Sequence, residues 1–195
     1  MRPDLAAIIH WVPRGARVLD LGCGDGSLLR SLWLEREAPG YGVEIDEASV
    51  LACVKNDVNV LQLDLESGLA AFADRSFDCV ILSETLQAIR HQEALLREML
   101  RVGREAIVSF PNFGHWQARL QIAFAGHMPV SKELPYQWYD TPNVHHCTLV
   151  DFEALCAKLG VRVLERLVLD NSREVSFLPN LLGSLAVYRC TSRSN

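Results

Sequence analysis

The residues with the clearest chemistry lie in the run Val18-Leu19-Asp20-Leu21-Gly22-Cys23-Gly24-Asp25-Gly26. Glycines at alternating positions let a backbone turn sharply and approach a ligand with no side chain in between. The apolar residues before them read as a strand and those from Ser27 onward as a helix. The unpaired N–H groups of that helix start then face the same space as the loop. Such a strand-to-helix turn, the first of the chain, is where open α/β sheets place ligands. A dinucleotide fingerprint wants its third glycine where Ser27 stands, and here glycine comes one residue early. Asp20 is a further departure from that fingerprint, and no Tyr-x-x-x-Lys pair occurs in the chain, so a nicotinamide-dependent reductase is disfavoured.

Further acids join the loop. Glu44 closes a second apolar run, where a carboxylate can accept hydrogen bonds from ribose hydroxyls. Asp64 closes a third run, Val60-Leu61-Gln62-Leu63. Asp20, Glu44 and Asp64 are therefore expected at the C-terminal ends of consecutive strands, converging on one crevice. Other chemistry-bearing residues read more plainly. His145-His146-Cys147 has no matching ligand pair nearby, and neighbours in an extended segment face opposite ways, so no metal site is expected. Glu84 and His115 are acid–base types but read as polar residues at the rim of a site. Cys23 reads as a filler of small space rather than a nucleophile.

The elements that must position these residues alternate regularly. A leading helix is expected over 4–12, stopped by Pro13, and strands over 17–21, 41–45, 58–63, 77–82 and 106–109. Between them, helical spacing places Leu28, Leu29, Leu32 and Trp33 on one buried face, and Val50, Leu51 and Val54 on another, capped by Asp46. A further helix carries Leu95, Leu96, Met99 and Leu100, with Glu93 and Arg97 paired four apart. Thr148-Leu149-Val150-Asp151 resembles a capping box ahead of Phe152, Leu155, Cys156 and Leu159, and Gly160 stands where that helix should end. Two late β-prone segments follow, 161–169 and 185–190. This order predicts an α/β fold, a mostly parallel sheet covered by helices on both faces.

One stretch breaks the rhythm. Residues 110–147 are far longer than the ~2–6 residues usual for such a connection. They carry an amphipathic pattern at Phe113, Trp116, Leu120 and Phe124, then a proline- and aromatic-rich run through Tyr136, Trp138 and Tyr139. The chain reads as one domain over 1–195, with this insertion as a lid or a partner surface.

Composition sets the remaining bounds. The 195 residues are 49% hydrophobic and 22% charged, an ordinary globular balance. A net charge of -5 argues against general affinity for nucleic acid or anionic membranes. No apolar run is long enough to span a bilayer. The six cysteines are scattered with no Cys-x-x-Cys, and no secretory signal is apparent, so a cytoplasmic location is expected. A homo-oligomer is left open.

The ordered runs VLDLGCGDG, YGVEID, VLQLDLE and SFDCVILSE resemble the cofactor motifs of class I S-adenosylmethionine-dependent methyltransferases. The resemblance implies a Rossmann-like methyltransferase fold with a late antiparallel strand. It implies that Gly22, Cys23 and Gly24 pass beneath the methionine moiety and ribose of S-adenosylmethionine or S-adenosylhomocysteine. By the same resemblance, Asp20 supports the loop and the ligand amino group, and Glu44 holds the ribose hydroxyls. Ile45 packs on adenine, Asp64 accepts its amino group, Leu65 covers the ring face, and Ser83 lies near the amino end.

Over residues 3–190 the chain resembles, more narrowly, the methionine-biosynthesis MetW family. The segments SFPNFGHWQARLQI, LPYQWYDTPNVHHCTLVDF and NLLGSLAVYRC carry that likeness, and methyltransferases at large lack them. It implies a partner or activator of homoserine O-acyltransferase. The catalytic question stays open, because methyl transfer from a sulfonium needs chiefly proximity and alignment. The aromatic-proline motif of many amino-methylating enzymes is replaced by Ser83-Glu84-Thr85-Leu86, which disfavours a nucleic-acid substrate; a small-molecule methyltransferase stands as the second reading.

Overall fold

The computed structural model describes residues 2–192. Helix α1 (Pro3–Trp11) leads into β1 (Val18–Leu21), α2 (Ser27–Arg36), β2 (Gly40–Glu44), α3 (Glu47–Lys55) and β3 (Val60–Gln62). The chain continues through β4 (Phe77–Ser83), α4 (Gln92–Val102), β5 (Gly103–Pro111) and a short α5 (Trp116–Leu120). It finishes with α6 (Leu149–Leu159), β6 (Val161–Asp170), β7 (Arg173–Glu174), α7 (Pro179–Leu182) and β8 (Leu185–Ser192). All eight strands form one sheet in the order β3-β2-β1-β4-β5-β8-β6-β7. From β3 to β5 every pairing is parallel, while β8 runs antiparallel to both β5 and β6. Connections run outward from β1 to one side and from β4 to the other, so a crevice opens above the carboxyl ends of these two strands.

The central strands are buried on both faces, as parallel strands between helices must be. Val80 and Leu82 of β4 join Leu96 and Met99 of α4 and Phe152 of α6 in one core. Their neighbours Cys79 and Ile81 point the other way, into a second core with Ile8 and Val12 near α1 and Leu28 and Leu32 of α2. Phe110, Phe152 and Tyr188 knit β5, α6 and β8 together, with ring centroids 4.9, 5.8 and 4.7 Å apart. The Tyr188 hydroxyl donates to Glu153 at 2.9 Å, which satisfies the one polar atom this aromatic group carries inward.

The caps expected at Asp46 and Thr148 are present: Asp46 accepts from Ser49 N–H at 2.8 Å, and Thr148 and Asp151 form the reciprocal box. Gly160 ends α6 at φ 69, in the left-handed region. Three apolar residues expected inside lie outside. Trp33, Leu51 and Val54 are 59%, 54% and 61% exposed. The sheet ends at the three-residue β3, so the outer faces of α2 and α3 have no strand to cover them. The insertion also departs from its pattern. Strand β5 extends to Pro111, α5 is a single short turn continued by a π-type turn over Gln121–Ala125, and Phe124 is 84% exposed. Neither β7 nor α7 was expected from the sequence pattern.

Candidate functional site

The loop after β1 owes its shape to its glycines. Gly22 (φ 70) and Gly24 (φ 56) occupy the left-handed region, where other residues pay a steric cost. A Cβ on Gly22 would sit 2.7 Å from Thr85 Oγ1, so glycine there admits the turn after β4. A Cβ on Gly24 would meet nothing within 4 Å, so that glycine faces open space above the sheet. Gly22 N–H donates to Val43 O at 2.8 Å and Cys23 N–H to the same oxygen at 3.2 Å, which pins the loop onto β2.

Glu44 completes the cradle. Its Oε2 accepts from Gly24 N–H at 2.9 Å, and its Oε1 accepts from Ile45 N–H at 2.8 Å and Asp46 N–H at 3.0 Å. Three of the ~4 acceptor directions of a carboxylate are thereby used, and one remains for a ligand. Ile45 beside it is 61% exposed and Leu65 is half-buried. Leu63 N–H donates to Glu44 O at 3.0 Å, which brings Asp64 to the neighbouring strand end. Asp64 caps its own short 3-10 turn by accepting from Glu66 N–H at 2.9 Å.

Asp20 lies one residue before the end of β1 and is 2% exposed. Burial pushes its carboxyl up from 3.8 to about 7, against the opposing pull of Arg2 and with a smaller push from Glu44. A carboxylate so desolvated is stabilised by any cation that reaches the crevice. Cys23 is also buried, its Sγ 3.7 Å from Cys53 Sγ, and burial pushes its thiol well above the usual range. It fills space and is poorly suited to nucleophilic work.

Ser83 is drawn into a different network from the loop. Fully buried Asp4, in the first turn of α1, accepts through Oδ2 from Ser83 Oγ at 2.9 Å and Ser109 Oγ at 2.9 Å. Arg2 donates to Asp4 at 3.1 Å, to Ser83, and to Glu84 at 3.0 Å. The leading helix is thus latched by its first turn to the ends of β4 and β5. Arg2 and Asp4 were not singled out from sequence, where Asp4 reads only as the start of a helix.

Glu84 follows β4 with φ 50, a left-handed backbone on a residue that carries a Cβ. Its N–H donates to Ser109 O at 3.0 Å and Ser109 Oγ at 3.1 Å, and its carbonyl accepts from Gln87 Nε2 at 2.7 Å. These bonds hold the strained turn. Burial raises the Glu84 carboxyl above its ordinary value; Arg2 opposes this while Asp4 and Glu133 add to it. Glu84 and Thr85 line a cavity of about 450 Å³ whose far wall comes from the insertion (Lys132, Glu133, Tyr136) and from the loop after β6. His115 lies elsewhere, buried, with Nε2 3.5 Å from Asp170.

The insertion is fixed to the tail of the chain by Asn112. Its side-chain amide donates to Gly183 O at 2.7 Å and Asn180 O at 3.1 Å, and its N–H donates to Ser184 O at 2.8 Å. Asn180 Oδ1 in turn accepts from Leu149 N–H at 3.0 Å. The runs around Phe110–Gly114 and Asn180–Leu185 are therefore two halves of one latch. His146 stacks on Phe113, ring centroids 4.7 Å apart, and packs the returning segment beneath it.

Residues 2–190 match the family model of methionine biosynthesis protein MetW. The chain belongs to that family. The bifunctional methionine biosynthesis protein MetXA/MetW of Rhodopirellula baltica is 40% identical over 197 residues, which take in 94% of this chain. The chain spans 32% of that relative's length. In structure it is similar to a SAM-dependent methyltransferase of Archaeoglobus fulgidus (TM-score 0.72, 18% identity, 96% of this chain and 90% of that one). The [4+2]-cyclase SpnF is also similar (TM-score 0.69, 17% identity, 99% of this chain and 81% of that one). The Rossmann-like methyltransferase fold is thus established, and the same fold serves a protein named for a different reaction.

Proposed function

We propose that this MetW-family chain binds S-adenosylmethionine in the crevice above β1 and acts as partner and activator of homoserine O-acyltransferase. The observation that carries the partnership is the Rhodopirellula baltica relative, in which MetXA and MetW form one polypeptide. Proteins that work as a pair gain effective concentration when they are linked. In this reading the chain is one domain, and the insertion presents the partner face. Trp138 and Tyr139 are each 71% exposed there, and exposed aromatics are common interface anchors.

The residues fit the cofactor. Gly24 leaves open the space that a Cβ would fill, Glu44 keeps a free acceptor direction, and buried Asp20 would gain from a positive charge. Gly22, Cys23 and Gly24 would pass beneath the ligand, and Glu44 would accept from the ribose hydroxyls. Ile45 and Leu65 would hold adenine between apolar faces, with Asp64 at its amino group. Ser83 would act through its network with Asp4 rather than alone. When bound, S-adenosylmethionine supplies an electrophilic methyl group on a sulfonium. A second reading, a small-molecule methyltransferase, is favoured by the cavity that starts at Thr85, the residue packed on Gly22.

The test is to assay homoserine O-acyltransferase of the same organism with and without this chain, across a titration of S-adenosylmethionine. A stoichiometric rise in activity with a stable complex on gel filtration is expected. No complex and no change in rate would sink the partnership. Unchanged complex affinity across the titration would remove the cofactor from it, because coupling between sites is reciprocal.

A further inference from the structure

The cavity beyond Glu84 carries an assignment of its own. At about 450 Å³ it falls within the range of small-molecule sites. Four charged side chains line it: Arg2, Glu84, Lys132 and Glu133. Arg2 is already committed, with Asp4 at 3.1 Å and Glu84 at 3.0 Å. Lys132 forms no ion pair among the described residues. Among the same residues Glu133 meets only hydroxyls, Ser184 Oγ at 3.3 Å and Ser131 Oγ at 3.4 Å. One cation and one carboxylate thus face the same space without ionic partners.

Glu84 gives a second, independent pointer. A left-handed glutamate costs on the order of 1–3 kcal/mol and persists where surroundings over-determine it. The main-chain bonds to Ser109 and Gln87 do so here, and they leave the carboxylate to meet Arg2 from inside the cavity. Glu133 adds to the cost of ionising Glu84, and a positive group between the two relieves that cost. The far wall is kept in place by Gln87, whose carbonyl accepts from Val144 N–H at 2.8 Å and His145 N–H at 3.0 Å. Pro135, Tyr136 and Leu185 supply apolar surface beside the charges.

We propose that this cavity binds a free α-amino acid, with its ammonium between Glu84 and Glu133 and its carboxylate on Lys132. A zwitterion answers both unpaired charges at once, which neither a simple anion nor a simple amine does. The site shares no residue with the cofactor set, so the proposal goes beyond the cofactor reading and does not depend on it. The two sites touch through Thr85, which lines the cavity and packs on Gly22.

The experiment is calorimetric titration of the whole chain with the standard L-amino acids, one at a time. Each titration is run with and without saturating S-adenosylhomocysteine. At least one amino acid is expected to bind at millimolar concentration or below, and to bind still when S-adenosylhomocysteine is present. Its carboxamide and its desamino analogue are expected to bind about tenfold more weakly, one charge contact being lost in each. Glu133→Gln and Lys132→Met are expected to show the same loss with an unchanged thermal midpoint. The proposal is overturned if no amino acid binds, or if S-adenosylhomocysteine displaces the one that does. Equal binding of the analogues, or undiminished binding by both variants, overturns it as well. S-adenosylhomocysteine failing to bind counts against the cofactor reading alone.

Discussion

Glu44 and Glu84 both stand at the carboxyl end of a parallel strand, yet they are held in opposite ways. Glu44 is gripped by three backbone N–H groups of its own turn and the glycine loop. Glu84 has its backbone fixed and its carboxylate met, among the described residues, only by Arg2, a side chain 82 residues away in sequence. The cradle around Glu44 is a property of a strand–loop–helix turn, and any chain that closes the turn with glycines can build it. The cavity around Glu84 requires α1, the insertion and the tail to arrive together through the Asp4 and Asn112 latches. Both kinds of match run over nearly the whole chain, but proteins under 25% identical share only the fold, while the MetW model matches residues 2–190 in sequence.

The largest effect expected is at the aromatic group that joins β5, α6 and β8. Phe152 packs against Phe110 and Tyr188 and is 2% exposed, so Phe152→Ala should cost about 3–5 kcal/mol. Hydrogen exchange should then show protection lost first in β5, β6 and β8, with β1 and β2 retained. Uniform loss across the sheet would break the comparison, because the two regions would be one cooperative unit.

Next comes the carboxylate of the cradle. Glu44→Ala removes a charged acceptor and the anchor of Gly24 N–H, so affinity for S-adenosylhomocysteine should fall by about 2–3 kcal/mol, roughly 30- to 150-fold. Glu84→Gln should leave that affinity within about threefold, since its neutral amide changes nothing in the loop. Equal losses in a binding titration would mean that the two regions act as a single site.

Asp20 yields a smaller, pH-dependent effect. Its folded-state value of about 7 lies above the ordinary 3.8, so the folded protein holds a proton that the unfolded chain has released. The stability it contributes is complete below the unfolded value and is lost as pH rises through about 7. Comparing Asp20→Asn with the parent from pH 4 to pH 8, the parent's thermal midpoint should fall on the order of 5 °C more than the variant's. Identical curves would show that this carboxylate is better solvated than its position implies. A cationic ligand favours the ionised form, so S-adenosylmethionine should bind the parent more tightly at pH 8 than at pH 6, and the variant equally at both.

The sequence carried these two regions unequally. The cradle was legible because its signals are local: glycines that permit left-handed turns, acids that end apolar runs, and caps such as Asp46 and Thr148 written within four residues. The cavity was not, because Arg2, Asp4 and Glu133 are common surface types whose meaning comes from contacts far along the chain. Glu84 and His115 were visible as chemical types without geometry; the structure places the first in a cavity and buries the second beside Asp170. Periodicity misled where an element had nothing to pack on. Leu51 and Val54 form a proper helical face, but the sheet stops at β3 before reaching it. The stripe at Trp116, Leu120 and Phe124 is likewise periodic and left 41%, 43% and 84% exposed.

The insertion's exposed aromatics give the smallest effect on the chain alone. Trp138 is 71% exposed and its described aromatic contact is edge-on with Tyr139, itself 71% exposed, at 5.8 Å. Truncating such a side chain removes little packing, so Trp138→Ala should change stability by less than about 0.5 kcal/mol. The same change on a core aromatic is costly, and that contrast is what makes the variant informative. If the insertion is the partner face, the missing energy reappears when homoserine O-acyltransferase is added. Activation should then need a higher concentration of the variant, while binding of S-adenosylhomocysteine is unaltered. Fully retained activation would move the partner face elsewhere, toward Trp33 and Leu34 on the uncovered side of α2, which are 59% and 70% exposed. A drop in stability of several kcal/mol would instead show that Trp138 is packed in solution, and the insertion would belong with the cavity's structural walls rather than with a docking surface.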